Sequence, residues 1–288
     1  MLVVLVGSAV LAACSPGTKI TIRDPMPFDA ERSPDWSPDG RSIVFSWNDA
    51  SNWDSGGVYV LELDTGIRRP ILSGGSCDHC EPDWSPSGEW IAMVGLTLVR
   101  SSGDSSHRLT SALGFSPSWS PDGARIAMSS GADHPNGPKV IWTVAADGSD
   151  ARDISEHGVG EWLSADWSPD GGRLVHVRYV GVGWPEIFVM DTSGANAARL
   201  TNDNVSDGNP AWSPDGLWIA WSRNDPGSRP YVWVMRADGT SARRLTEGFD
   251  PTWSPDGGRI AFSAFVEDGS LRLHVANLDG SGRRRLMP

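Results

Sequence analysis

Residues 251–263 read "PTWSPDGGRIAFS", and variants of the same pattern begin at Pro34, Pro82, Pro117, Ala165 and Pro210. The tryptophans of the six copies, Trp36, Trp84, Trp119, Trp167, Trp212 and Trp253, stand 48, 35, 48, 45 and 41 residues apart. A period in the forties with strand-like content is the signature of propeller blades rather than of helical arrays. After each tryptophan comes Ser-Pro-Asp-Gly, with Ser87 replacing Asp in the second copy. Proline presets the first turn position, aspartate suits the second, and glycine takes the left-handed angle that closes a tight hairpin with a bulge.

Working outward, each turn is followed by an apolar run: "SIVFS", "WIAMV", "RIAMS", "RLVHV", "WIAWS" and "RIAFS". Strands apolar on both faces need cover on both sides, which stacked blades supply. Trp90, Trp142, Trp218, Trp221 and Trp233 fall in strands and are expected in the core. Third strands such as "VYVLEL" and "YVWVMR" end in Asp-Gly or a similar pair, and fourth strands read "RRPIL", "HRLT", "ARDI", "ARLT", "RRLT" and "RRLM". Four strands in each of six units predict an all-β fold, a six-bladed β-propeller of four-stranded antiparallel blades over 33–288. Arginines such as Arg68, Arg69, Arg243 and Arg244 then lie on outer edge strands, where charge discourages pairing with another molecule.

The motifs "PxWSPDGxxIAF", "IYVMxxDG" and "RRLT" resemble the TolB-type propeller repeat, a relative of WD-repeat blades that is also similar to the propellers attached to prolyl-oligopeptidase-like peptidases. The resemblance covers about Ser33 to Pro288 and implies the fold; function does not follow, because propellers host unrelated activities. Two departures bear on function. About 20 residues separate Cys14 from the first blade, so the amino-terminal α/β domain of TolB is expected to be missing. No Gly-x-Ser-x-Gly elbow is present, which argues against peptidase activity.

At the amino terminus, "MLVVLVGSAVLAACSPG" carries an apolar run too short to span a bilayer, ending in Leu11-Ala12-Ala13-Cys14. This matches a bacterial lipobox. The reading is a signal peptide over 1–13, lipidation at Cys14 and an extracytoplasmic location in the periplasm or at the outer cell surface; the alternatives are an ordinary signal peptide or a buried first strand. No Lys or Arg precedes the run. Residues 14–32 read as a tether with a possible strand at 18–24, "TKITIRD", which either straps the last blade or displaces "RRRLM".

A formal charge of -12 and a pI near 4.8 disfavour phosphate backbones, so nucleic acid is not expected as a partner. In up-and-down blades the short Pro-Asp-Gly and Asp-Gly turns share one face, and the second-to-third and blade-to-blade connections share the other. The long loops thus collect around one channel mouth, where binding groups tend to be. They nominate Trp47, Trp53, Asp54, His79, Glu81, His134, His157, Glu161, Trp162, Trp184, Asp203, Asp207, Arg229 and Phe249 as loop-face binding residues. Aromatics among acidic and amide groups suit a peptide, a protein loop or a glycan, while the plainer reading packs each aromatic under its own loop. In blade two only Gly95 separates the second and third strands, so a notch is expected there.

Cys77 and Cys80 in "CDHC" read as a disulfide closing a small loop; a metal site with His134 and His157 and a redox pair are the alternatives. In "NDNVSDGN", Asp203, Asn204, Asp207 and Asn209 offer oxygen ligands for calcium without EF-hand spacing, and turn chemistry accounts for them as well. No cofactor is assigned. The leading function is a monomeric, non-enzymatic, lipid-tethered module that captures a protein or peptide of the cell envelope, touching membrane only through its lipid. The rivals are a glycan hydrolase or lyase using carboxylates such as Asp54, Glu161 and Asp207, and a purely structural envelope role.

Overall fold

A computed structural model describes residues 29–49, 56–74, 80–110, 114–131, 139–155, 161–181, 183–203 and 205–287. The expectations for Cys14, the 18–24 strand, Trp53, Asp54, Cys77, His79, His134 and His157 lie outside these residues.

The described residues form 24 strands and one short 3₁₀ turn, Val94–Leu96. In chain order the strands make six antiparallel four-stranded units, at 30–73, 83–108, 114–153, 162–199, 206–247 and 249–285. Each unit begins just before a motif tryptophan because the Ser-Pro-Asp-Gly turn forces the first hairpin. In blade one the Gly40 amide donates to the Ser37 carbonyl at 2.8 Å, and Gly40 sits at φ 70°. The Ser37 hydroxyl donates to Asp39 Oδ1 at 2.6 Å, and Asp39 also accepts from the Arg41 amide at 3.0 Å. These donors hold the Asp39 carboxyl below its ordinary range, the serine hydroxyl first. Blade two reproduces the turn with a hydroxyl pair, Ser85 and Ser87, at 3.0 Å.

Blades stack through the apolar second strands. Ile43, Ile91, Ile126, Leu174, Ile219 and Ile260 occupy one equivalent position and are all 0% exposed. Each apolar cluster along the ring joins neighbouring blades, for example Val44 and Val60 of blade one with Ile91 and Val99 of blade two. One joins Trp36, Ile43 and Phe45 of blade one to Ala261, Leu273 and Val275 of blade six. That cluster closes the ring. Burying a side chain of this size contributes about 1.5–3 kcal/mol, so no blade keeps its faces covered without both neighbours.

At the seam the described residues close the ring through the first strand and leave the last one undisplaced, while the 18–24 strap lies outside them. The strand Ala30–Trp36 begins inside the span read as tether, and Ala30 pairs in parallel with Leu271. The Leu271 amide donates to the Asp29 carbonyl at 3.0 Å, and the Leu273 amide to Glu31 Oε2 at 2.9 Å. Arg284–Arg285 keep their own place on the last blade.

The outer arginines do more than guard an edge. Arg69 and Arg243 each donate at 2.6 Å to carbonyls of the neighbouring blade, Ser101 and Leu278. Of the strand tryptophans expected in the core, Trp221 is fully buried. Trp90, Trp142, Trp218 and Trp233 are only half-buried, and Arg100, Arg236 and Arg223 lie over the rings of Trp90, Trp218 and Trp233. Those rings sit near the rim, where a guanidinium replaces the apolar cover.

Candidate binding cup at the loop-face mouth of the channel

The innermost strands line a central cavity of about 380 Å³ with residues from all six blades. Three of them place an aspartate directly before the motif tryptophan. Asp35 accepts the amide of Trp84 at 2.8 Å, Asp83 that of Trp119 at 2.7 Å, and Asp166 that of Trp212 at 2.7 Å. Ser118 donates to Asp166 at 3.0 Å, and Thr252 to Asp35 at 3.0 Å. The result is a hoop that ties the blades from inside. Burial pushes Asp35 and Asp166 up to about 6, and pushes Asp83 well up, with the charge of Asp35 adding to it.

One step nearer the loop face, every innermost strand bulges. Ser33, Glu81, Ser116, Ser164, Asn209 and Asp250 occupy equivalent positions with φ between 38° and 52°. A left-handed non-glycine residue costs about 1 kcal/mol or more. Because all six blades carry it, the bulge is part of the architecture; what varies is the polar side chain it turns toward the channel. Ser116 donates to Glu81 at 2.6 Å, and Asn209 donates to Asp250. The previous blade supports this neck, since Ser129 accepts the Ser164 amide and Ser222 the Asp250 amide, both at 2.9 Å.

Above the neck a cup of about 210 Å³ opens, sharing Glu81, Ser116, Ser164, Asn209 and Asp250 with the channel. Val94, Phe115, Leu163, Val177, Tyr179 and Phe249 supply apolar wall, and Asp207 and Lys139 join the polar groups. Lys139 Nζ lies 5.2 Å from the Phe115 ring centre. Most of the lining comes from the strand ends next to the second-to-third and blade-to-blade connections, and Glu81, Val94 and Pro230 come from those connections themselves, so the cup opens on the face where the loops were expected to gather. Val94 reaches the cup because the Val94–Leu96 connection is so short, with Gly95 at φ 72° making the reversal.

Of the nominated binding residues, the cup gathers Glu81, Asp207 and Phe249. Phe249 is not an exposed aromatic: it is 4% exposed and packs with Ala30 and Leu271 at the seam, so it forms wall rather than a stacking platform. Trp47 belongs to a second strand, half-buried against Tyr59, with Arg68 4.5 Å from its ring centre. Trp162 opens the first strand of blade four. Trp184 is 50% exposed, away from the cup lining. Glu161 also lies outside the lining, and its carbonyl accepts the Tyr179 amide at 2.9 Å. Arg229 pairs with Glu247 at 2.9 Å, and Asp203 with Arg223 at 2.6 Å. Asp207 is 0% exposed, accepts from Trp221 Nε1 at 2.9 Å, and is pushed by burial up to about 7.

Cys80 is buried and disulfide-bonded, its partner lying outside the described residues, so it offers no thiolate to a metal. The hoop aspartates, Phe115 and Lys139 escaped the sequence reading. The Asp-Trp pairs in "PDW" and "ADW" were the available signal for the hoop. Lys139, a rare lysine in an arginine-rich chain, was the signal for the cup.

A closed ring of four-stranded blades around a central channel defines a β-propeller. Residues 109–286 match the TolB beta propeller domain family, well over half the chain, and the chain belongs to that family. It is similar to an uncharacterised protein of Agrobacterium fabrum, 32% identical over 164 residues, which covers 51% of this chain and 54% of that protein. The chain thus spans about half the length of this curated relative. The crystal structure of TolB from Acinetobacter baumannii has a TM-score of 0.69 at 21% identity, over 88% of this chain and 62% of that one. Oligogalacturonate lyase in complex with manganese has a TM-score of 0.58 at 15% identity, over 86% of this chain and 90% of that one. At such identities the two structures speak for the fold alone.

Proposed function

We propose that this chain is a protein-binding propeller of the bacterial envelope that grips a segment of another protein in the cup at its loop-face mouth. The observation that carries the reading is the cup itself: apolar walls over a neck that presents Glu81 and Asp250, above a channel hooped by aspartates. Such a surface suits a partner segment with an apolar contact and a basic group, and the net charge of -12 favours a basic partner at the encounter stage. Membership of the TolB propeller family supports a scaffold role. Lipid attachment at Cys14, an extracytoplasmic location and a monomeric state belong to the same proposal. Among the described residues no helix is long and apolar enough to cross a membrane.

The test is capture from envelope extract by the purified protein, wild type against Val94→Arg, which fills the cup from an exposed position. The expected result is a set of partners lost from the variant and released by salt. Identical recoveries would remove the cup as the binding site. Replacing Cys14 by Ser is expected to move the protein from the membrane to the soluble fraction.

The rival reading as a glycan-active enzyme draws on the likeness to oligogalacturonate lyase. Of its described carboxylates Asp207 lines the cup and Glu161 does not, although Glu81 and Asp250 add carboxylates there. It predicts release of unsaturated sugars from oligogalacturonate, read by ultraviolet absorbance, and loss of that release in Asp207→Asn. The binding reading predicts none from wild type.

A further inference from the structure

Between blades four and five, three carboxylates converge on the loop face. Glu186 is the second residue of the strand Pro185–Asp191, Asp203 lies in the connection between blades, and Asp207 is the second residue of Ser206–Trp212. One carboxylate oxygen from each lies within 4.8 Å of the others. Glu186 is 1% exposed and Asp207 0%, while Asp203 reaches solvent.

Two of the three have cationic partners. Arg199 donates to Glu186 Oε1 at 2.7 Å, and Arg223 to Asp203 Oδ2 at 2.6 Å. Asp207 has neutral neighbours, the Trp221 indole on Oδ1 and the Thr201 hydroxyl, which donates to Glu186 Oε2 at 2.7 Å. Its other oxygen, Oδ2, is buried with no hydrogen-bond partner. With all three ionised, the carboxylates exceed the two guanidinium groups by one negative charge, which a bound cation would balance. A buried acceptor left unfilled costs about 1–3 kcal/mol, more when charged, which gives the site a reason to take up a positive ion.

We propose that Glu186, Asp203 and Asp207 bind a hard divalent cation, calcium in the first instance, at the junction of blades four and five. The donors are all carboxylate oxygens, the chemistry that calcium, magnesium and manganese prefer, with neither sulfur nor imidazole in the group. Calcium fits best because it accepts irregular sets of oxygen ligands, and the solvent side at Asp203 leaves room for water to complete its shell. Arg223 on Asp203 opposes a second cation, so the affinity belongs to the weak range of extracellular modules, a dissociation constant of about 10⁻⁴–10⁻³ M. The ion would tie two blades together beside the cup whose wall Asp207 also forms. This holds whatever occupies the cup.

The experiment is thermal unfolding of the chelator-treated full chain with and without calcium, at constant ionic strength. Wild type is compared with Asp207→Asn and with Asp203→Asn, and free Mn²⁺ is followed by electron paramagnetic resonance. At about ten times the dissociation constant, calcium is expected to raise the wild-type Tm by about 3 °C. Both variants are expected to lose that rise, and wild type alone to deplete the free Mn²⁺ signal by one ion per chain. Asp203 is exposed, so its variant decides the matter should Asp207→Asn fail to fold. A wild-type Tm indifferent to calcium, or an equal rise in Asp203→Asn, would overturn the site.

Discussion

Replacing Asp166 by Asn offers a direct test of the aspartate hoop. In the native chain Asp166 Oδ2 accepts the Trp212 amide at 2.7 Å and Oδ1 accepts the Ser118 hydroxyl at 3.0 Å. Asparagine keeps the first bond through its oxygen, and its amide can donate to Ser118 once that hydroxyl rotates. The substitution therefore removes the ionisation while preserving the ties between blades. Burial raises the Asp166 carboxyl from 3.8 to about 6, against the pull of its donors. Because the folded chain holds this proton more tightly than the unfolded one, stability is highest below about pH 4 and falls as pH rises through about 6. A two-unit difference is worth about 3 kcal/mol, and that is a ceiling, because Asp166 faces the channel and keeps some accessible surface. In urea unfolding, wild type and Asp166→Asn should have equal stability at about pH 4, and the variant should gain about 2 kcal/mol by about pH 7. An offset that stays constant over this range, or a variant less stable at neutral pH, would refute the claim that ionised Asp166 is held there at a cost.

Other perturbations follow from the same geometry. His176 is 0% exposed and burial lowers it to about 3, so its stabilising neutral form is present above about 6.5 and lost as pH falls toward 3; His176→Phe should flatten the acid limb of a Tm-against-pH curve. Glu31→Ala strips the acceptor from the Leu273 amide and a carboxylate from Arg272 at the seam, and chemical unfolding should show a loss of about 2–4 kcal/mol. Gly216 sits at φ 69° with a built Cβ 3.3 Å from Pro169 Cγ of the preceding blade; Gly216→Ala should cost about 1–2 kcal/mol by urea midpoint.

The parts of this protein legible in the sequence are those set by short-range chemistry. Ser-Pro-Asp-Gly dictates its hairpin through contacts no more than five residues apart, such as the Ser42 amide on the Ser37 hydroxyl. Its repetition dictates how many times the unit occurs, and the apolar second strands dictate that units must stack. The placement of loops on one face follows from strand parity alone. The site was only partly legible. Glu81, Asp207 and Phe249 were nominated from loop composition and do line the cup, Phe249 as buried wall, but the same composition nominated Trp47, whose ring packs into the sheet.

What the tertiary structure decided involves residues that meet only when the ring shuts. Thr252 reaches Asp35 across 217 positions of sequence, and Leu273 reaches Glu31 across 242. No local pattern encodes such pairs, since each partner looks like an ordinary strand residue until its blade is docked. The neck is the same case: six bulges point polar side chains at a common axis, and an axis exists only for the closed assembly. Local turn chemistry thus specified the repeating unit by itself, while the chemistry of the channel and its mouth arose from long-range closure, which places groups by packing rather than by sequence distance.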